Sequence, residues 1–490
     1  MSISKENKSI LSSAGVVSGA TALSRVLGLV REQVMAFFFG AGLATDAFIT
    51  AFRIPNLLRD MFAEGALSSA FVPVFKEKMV QSSEEEAFKL ADIVITLILI
   101  IVGIIVLIGI IAAPALIYIS ANGFSFEPEK FNLTVDLTRI MFVYLLLVSL
   151  SAMVMGMLNS FGRFGIPAIS PAMFNLGIIF TVLIFYHNFD QPVYALAMGV
   201  LVGGLGQLVI QLPLLLKIGY RFKLSFNFLD NGLKKIINLF LPMIVGMSAG
   251  RINILLNTLL ASFLIEGSIS YLNYSYRLMH FPLGVFAVAL GTVTLPKVSE
   301  MAAKKDTLGL KKTFYETMNL NLFVIIPSAV FLALMGKEIV DLIYMWGEFS
   351  ELNSINTSRA LLHYSYGLIG FAAVRVIVPF YYAHGDSKLP MRASLISVVI
   401  NMILYYPLIK LLSFAGLAAA TSVAGIVNVG ILLYFLRSRG VSYSPQRLGL
   451  YVFRISLAAL LAFYTAKLFP LTFYSGESVL LIKLEELFLA

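Results

Sequence analysis

Along this chain, apolar residues fall in long unbroken runs, separated by short connections that hold most of the charge. Ile93 to Ala112 is the clearest case, an uncharged stretch long enough to cross the hydrocarbon of a bilayer as a helix. Hydropathy places such helices near 10–39, 43–75, 88–118, 135–160, 166–186 and 193–217. A second series follows near 234–263, 268–296, 314–335, 357–383, 388–411 and 415–437. A thirteenth covers about 447–469, and an apolar stretch from Ser478 reads as a short or incomplete fourteenth. The expected fold is all-α and polytopic, with no polar stretch long enough for a separate soluble domain.

Composition narrows the class. Of 490 residues, 59% are hydrophobic and 13% charged, against roughly 25% charged in a soluble domain. Cysteine is absent, which excludes disulfides, thiolate metal sites and cysteine nucleophiles. His187, His280, His363 and His384 are scattered without metal-ligand spacing, and no phosphate-binding glycine loop occurs. No enzyme activity, cofactor or metal is expected. Near the N-terminus, Ala20-Thr21-Ala22 matches a cleavage site formally, but the apolar core of a cleaved signal is weak, so removal is not expected.

The net charge of +9 sits in short loops between spans, the pattern of topology determinants rather than of nucleic-acid binding. Lys76, Lys78, Arg163, Lys217, Arg221, Lys223, Lys234, Lys235, Lys297, Lys304, Lys388, Arg437 and Arg439 fall in alternate connections. The intervening loops carry mainly acids, among them Glu127, Glu129, Asp190, Glu266, Glu348 and Glu351. The positive-inside rule then puts the N-terminus in the cytoplasm and Trp346, the only tryptophan, on the outer side.

The two series of helices echo each other at an offset of about 220 residues. Leu196 to Gly219 aligns without gaps on Leu417 to Gly440, matching Gly204 with Gly425 and Gln207 with Asn428. Gly162 and Pro167 match Gly385 and Pro390, and Arg139 matches Arg359. The repeat predicts two six-helix lobes, residues 1–222 and 223–440, followed by additional helices over 441–490. An even number of spans per repeat relates the lobes by a pseudo-two-fold along the membrane normal, with a substrate site between them.

Charge inside the apolar runs points to that site. The first span carries Arg25, Arg31 and Glu32, and the second carries Asp46, Arg53, Arg59, Asp60 and Glu64. Arg251, Arg277 and Arg375 lie in later spans. An arginine near the bilayer centre costs about 2.5–3.5 kcal/mol even on the lenient insertion scale, so these need water, acids or a bound anion. At helical spacing, Arg25 and Glu32 fall about 20° apart, and Asp46, Arg53, Asp60 and Glu64 within roughly 40°. Arg53, Asp60, Arg251 and Arg375 fit pairing between helices as well as function. Arg25, Arg31, Arg59 and Arg277 are the candidate anion ligands, because guanidinium forks suit phosphate oxygens. Gly28, Pro55, Pro282 and Gly284 are places where their helices can bend.

The residues around these charges resemble a known family. Ser24-Arg25-Val26-Leu27-Gly28, Arg31-Glu32, Phe39-Gly40-Ala41-Gly42 and Ala44-Thr45-Asp46-Ala47-Phe48 resemble the start of the MurJ (MviN) flippases. The likeness continues through Pro55-Asn56-Leu57-Leu58-Arg59, Phe62-Ala63-Glu64-Gly65-Ala66 and Phe71-Val72-Pro73. Tyr276-Arg277-Leu278-Met279, Phe281-Pro282, Gly284-Val285 and Ala289-Leu290-Gly291-Thr292 resemble its second signature. Two departures stand out: Tyr276 and His280 replace acids that relatives often carry on either side of the arginine.

The resemblance implies a fold of the multidrug/oligosaccharidyl-lipid/polysaccharide exporter superfamily, working by alternating access in the bacterial inner membrane. It implies lipid II, the undecaprenyl-pyrophosphate-linked peptidoglycan precursor, as the lipid partner, with Arg25, Arg31, Arg59 and Arg277 binding the pyrophosphate. Ser24, Glu32, Asp46, Arg53, Asn56 and Glu64 become cavity-lining residues or charge partners. The last two spans would form a groove for the lipid tail. A flippase for another polyprenyl-linked polysaccharide precursor is the nearest alternative. A multidrug exporter would want acidic and aromatic cavity residues instead, and a membrane-embedded transferase would need paired carboxylates free of arginine neighbours.

Overall fold

The computed structural model describes residues 5–60, 66–248 and 252–468, and among these it is helical without a strand. The chain divides into two compact units, residues 1–274 with 340–357 and residues 275–339 with 358–490.

The first unit begins with α1 (Lys5–Phe39), α2 (Leu43–Arg59), α3 (Ala66–Gln81) and α4 (Glu84–Ile111). Ser83 starts α4 by accepting the Glu86 amide at 3.2 Å, and the three glutamates after it complement the positive end of the helix. Then come α5 (Ala113–Ser120), α6 (Pro128–Ser160), α7 (Gly165–Phe185), α8 (Tyr194–Val209) and α9 (Leu212–Lys217). Helices α10 (Asn231–Ser248) and α11 (Ile252–Ala261) follow, then α12 (Ser268–Pro282), which passes from the first unit into the second.

The core of the first unit joins α3, α4 and α6 through Phe71, Phe75, Leu90, Val94, Phe142 and Met157. Helices α7 and α8 meet through glycine. A Cβ on Gly177 would lie 2.4 Å from the Gly203 Cα, so a side chain there would force the helices apart.

The second unit continues α12 through a π-helical turn, Leu283–Ala287, into α13 (Val288–Ala303) and α14 (Thr307–Leu334). Helix α15 (Gly336–Tyr344) passes back into the first unit at residue 340 and α16 (Glu351–Ala383) returns to the second at 358, which α17 (Lys388–Leu412), α18 (Phe414–Leu436) and α19 (Pro445–Leu468) complete. Its core gathers Val298, Phe314, Met318, Phe380, Tyr381, Leu432 and Leu436. Helix α19 packs on α14, where the Tyr451 hydroxyl donates to the Asn319 carbonyl at 3.1 Å.

Among the described residues, ten helical segments are long and apolar enough to cross a membrane. They correspond to the expected spans except the first, second and seventh. The first expected span is helical throughout, as α1, but holds Arg25, Arg31 and Glu32 in its second half. The described residues of the second form α2 and α3, and those of the seventh form α10 and α11, with residues 61–65 and 249–251 outside the described residues. The stretch proposed as a fourteenth span lies outside the described residues, as do Glu64 and Arg251.

The glycines matched by the sequence repeat share their conformations. Gly162 and Gly385 have φ of +71° and +69°, and Gly219 and Gly440 have φ of +90° and +75°. Each ends a helix in the left-handed region, which residues with a Cβ rarely adopt. Gly204 and Gly425 both receive an aromatic ring: a Cβ would stand 2.6 Å from Tyr144 and 2.7 Å from Phe371, respectively.

Candidate substrate-binding site

On α1, Arg31 of the first charge cluster is held by α7. Arg31 donates through Nη1 to the Asn175 Oδ1 at 3.1 Å, and its Nη2 pairs with the Glu32 carboxylate. The guanidinium also lies over the Phe174 ring, 5.6 Å from its centre. Asn175 in turn donates through Nδ2 to the Ser24 carbonyl at 3.1 Å. Ser24, Arg31 and Glu32 therefore belong to one network, joined by a buried amide that sequence reasoning did not single out. A guanidinium carries five donors in a fixed fork. Holding two of its nitrogens from α1 and α7 sets the direction of that fork.

Gly28 lies on the same side of α1, because a Cβ there would approach the Asn175 amide to 3.9 Å. Arg25, less than two turns before Arg31, is exposed, whereas Glu32 is buried. At the end of α2, Arg59 donates through Nη2 to Asp60 at 2.9 Å, both side chains being mostly buried. Asn56 is half-buried, and its carbonyl accepts the Asp60 amide. Pro55 is buried inside α2, which continues past it to Arg59.

Asp46 and Arg53 face other helices. Asp46 is 1% exposed and collects four donors. Lys130 Nζ reaches Oδ2 at 3.1 Å and the Gly267 amide at 2.9 Å, while the Ser270 amide and hydroxyl reach Oδ1 at 2.9 and 2.6 Å. Asp46 thus caps the first turn of α12 from α2. The arrangement is reciprocal: Glu266, just before α12, accepts the Leu43 amide at the start of α2 at 2.8 Å. One turn pair further along α2, Arg53 donates to Thr258 Oγ1 at 2.6 Å and to the Ile254 carbonyl at 3.4 Å on α11. Of the acidic–basic stripe read on the second span, Asp46 and Arg53 make contacts of helix pairing, Asp60 pairs with its neighbour Arg59, and Glu64 lies outside the described residues. Breaking such a buried pair by removing one partner costs about 3–5 kcal/mol.

Lys130 also escaped sequence reasoning. It is 3% exposed and lies 4.4 Å from the Phe124 ring centre. The signal was a lone lysine in a connection otherwise read as acidic and outer, against the trend of the charge rule.

In the second unit Arg277 is exposed on α12, five residues before Pro282. Pro282 has no amide hydrogen to donate, and the helix widens into its π-helical turn immediately afterwards, with Gly284 inside that turn.

A bundle of apolar helices carrying arginines in the middle of its runs defines a polytopic membrane protein of the transporter class. The chain belongs to the MurJ family: the family model described as lipid II flippase MurJ matches residues 35–484. A probable lipid II flippase MurJ of Buchnera aphidicola is 35% identical, over 91% of this chain and 87% of its own. The lipid II flippase MurJ of Burkholderia cenocepacia is 34% identical over the same shares. Among solved structures, lipid II flippase MurJ in an inward closed conformation superposes with a TM-score of 0.78, at 28% identity and 93% of both chains. An inward-facing multidrug transporter of the MATE family, from the MOP superfamily, shares the fold at a TM-score of 0.69 and 14% identity, over 87% of this chain and 98% of that one.

Proposed function

We propose that this protein flips lipid II from the cytoplasmic to the outer leaflet of the bacterial inner membrane. Membership of the MurJ family supports the substrate, since relatives covering most of the chain carry that activity in their names. The observation that carries the site is Arg31, turned by Asn175 on an apolar helix that also bears Arg25. With Arg25, Arg59 and Arg277 it makes up the proposed set of pyrophosphate ligands, because a guanidinium fork matches phosphate oxygens. A pyrophosphate brings more than one negative charge and can compete with a single carboxylate such as Glu32 or Asp60.

In this reading the matched glycines mark a duplicated six-helix unit, residues 1–222 and 223–440, and the two lobes rock about the bound headgroup. The N-terminus lies in the cytoplasm, and Gly28, Pro55 and the Pro282–Gly284 turn take up the bending. The polyprenyl tail stays in lipid, against the helices after residue 440. No covalent step is involved.

Complementation of a strain depleted of its own lipid II flippase tests this directly. The parent chain should restore growth, and Arg31→Ala and Arg277→Ala should not, at equal membrane levels. Rescue by both variants would remove the arginines from the site, and failure of the parent would remove the substrate.

A further inference from the structure

The connection between α9 and α10 has an unusual form. Residues 220–227 form neither helix nor strand, and two side chains of α4 accept hydrogen bonds from them. The Tyr220 hydroxyl donates to Asp92 Oδ1 at 2.7 Å, and the Lys223 amide reaches the same oxygen at 3.1 Å. Two residues on, the Ser225 amide donates to Thr96 Oγ1 at 3.1 Å. Two residues of chain reach at most about 7 Å, and the four helical residues from Asp92 to Thr96 rise about 6 Å, so the chain between Lys223 and Ser225 is nearly fully drawn out. The segment therefore runs alongside α4, in step with it.

The direction of that run matters. Asp92 stands immediately before the uncharged stretch Ile93 to Ala112, and Thr96 lies one turn inside it. Moving from Tyr220 to Ser225, the chain descends from the charged end of α4 to the depth where its hydrocarbon-spanning part begins. Backbone at that depth needs its amides satisfied within the protein. Asp92 and Thr96 supply the acceptors, and Thr96 turns its own hydroxyl hydrogen to the Asp92 carbonyl at 2.7 Å. Burial and the neighbouring carboxylate push the pKa of the Tyr220 hydroxyl up, so it stays a donor.

The side chains that point away from α4 fit the same depth. Leu224 and Phe226 are each 66% exposed, and Phe222, Phe228 and Leu229 are exposed too. Between them lie Arg221 and Lys223, both exposed cations on long stems. After Leu229 the chain returns to Asp230, which pairs with Lys78 at 2.8 Å at the end of α3.

We infer that residues 221–229 form a lipid-inserted clasp. Phe222, Leu224 and Phe226 enter the acyl region of the leaflet that faces the basic loops, and Arg221 and Lys223 reach back to phospholipid phosphates. The partner is the bilayer itself. Apolar side chains alternating with cations on a segment lowered to hydrocarbon depth match its layered chemistry. The inference is independent of the transported substrate, because it concerns the connection and not the arginines of α1, α2 and α12.

The single tryptophan makes the test clean. With Trp346→Phe as background, Phe222→Trp and Phe226→Trp are made separately in the full chain. Each is reconstituted into phosphatidylcholine–phosphatidylglycerol vesicles whose acyl chains are brominated either near the headgroup or near the methyl end. Emission of both should be blue-shifted and quenched by the chains brominated near the headgroup. Phe226→Trp should be quenched more strongly than Phe222→Trp, and aqueous iodide should reach neither. Thr96→Val on the Phe226→Trp background should shift quenching towards iodide. Red-shifted emission quenched by iodide and untouched by brominated lipid would overturn the clasp. So would emission shielded from both quenchers, which would mean that protein covers the segment. Leu224→Trp repeats the measurement should either aromatic replacement fail to fold.

Discussion

Asn175 is neutral and buried, yet it decides where Arg31 points, because one side-chain amide grips both the guanidinium and the Ser24 carbonyl. Replacing it by leucine removes both bonds at once. A hydrogen bond to a charged group contributes about 1.5–3 kcal/mol, so lipid II affinity should fall by roughly tenfold or more. Asn175→Asp, which keeps an acceptor for Arg31, should lose less. Binding titrations of the purified variants, with thermal melts run in parallel, check this; an unchanged affinity for Asn175→Leu would detach the amide from the site. The arginines were legible in the sequence because charge in an apolar run is costly and needs a reason. Asn175 and Lys130 were not, since a neutral amide in a membrane helix costs little and a loop lysine is ordinary. Only the fold reveals that Lys130 is nine-tenths buried against Asp46.

At the scale of elements, two basic-side helices begin in the same way. Asp230 accepts the Gly232 and Leu233 amides at the start of α10 and pairs with Lys78. Asp386 accepts the Lys388 and Leu389 amides at the start of α17 and pairs with Arg439. The Leu389 amide leads in holding the Asp386 carboxyl below its usual range. Burial alone would raise that of Asp230, but Lys78 and the two amides outweigh it and hold it low as well. A carboxylate with a lowered folded pKa stabilises the fold fully above its unfolded value, near 3.9. That contribution is lost as pH falls through the lowered value. Stability of the purified protein should therefore decline below about pH 4, and more steeply for the parent than for Asp230→Asn with Asp386→Asn. Melting curves across acid pH that superpose for the two proteins would contradict the caps. Most helices were readable from hydropathy alone. The first expected span was readable as a helix but not as an ordinary apolar one, because Arg25, Arg31 and Glu32 lie in its second half. The π-helical turn after Pro282 had a sequence cue in the proline and glycine, though its form did not.

For the whole molecule, the account depends on moving a negatively charged headgroup outward through an arginine-rich path. A cell interior that is electrically negative favours this by about 2.3 kcal/mol per net charge per 100 mV. In the proposed mechanism the arginines would travel with the lobes and offset part of the charge, so the drive would act on the difference. The most direct measurement is lipid II translocation in vesicles holding the purified protein, with a potential imposed in the native sense. The account predicts translocation by the parent, slowing when the potential is collapsed, and none above protein-free vesicles for Arg31→Ala or Arg277→Ala. Equal translocation by the parent and both variants, with or without the potential, would contradict it.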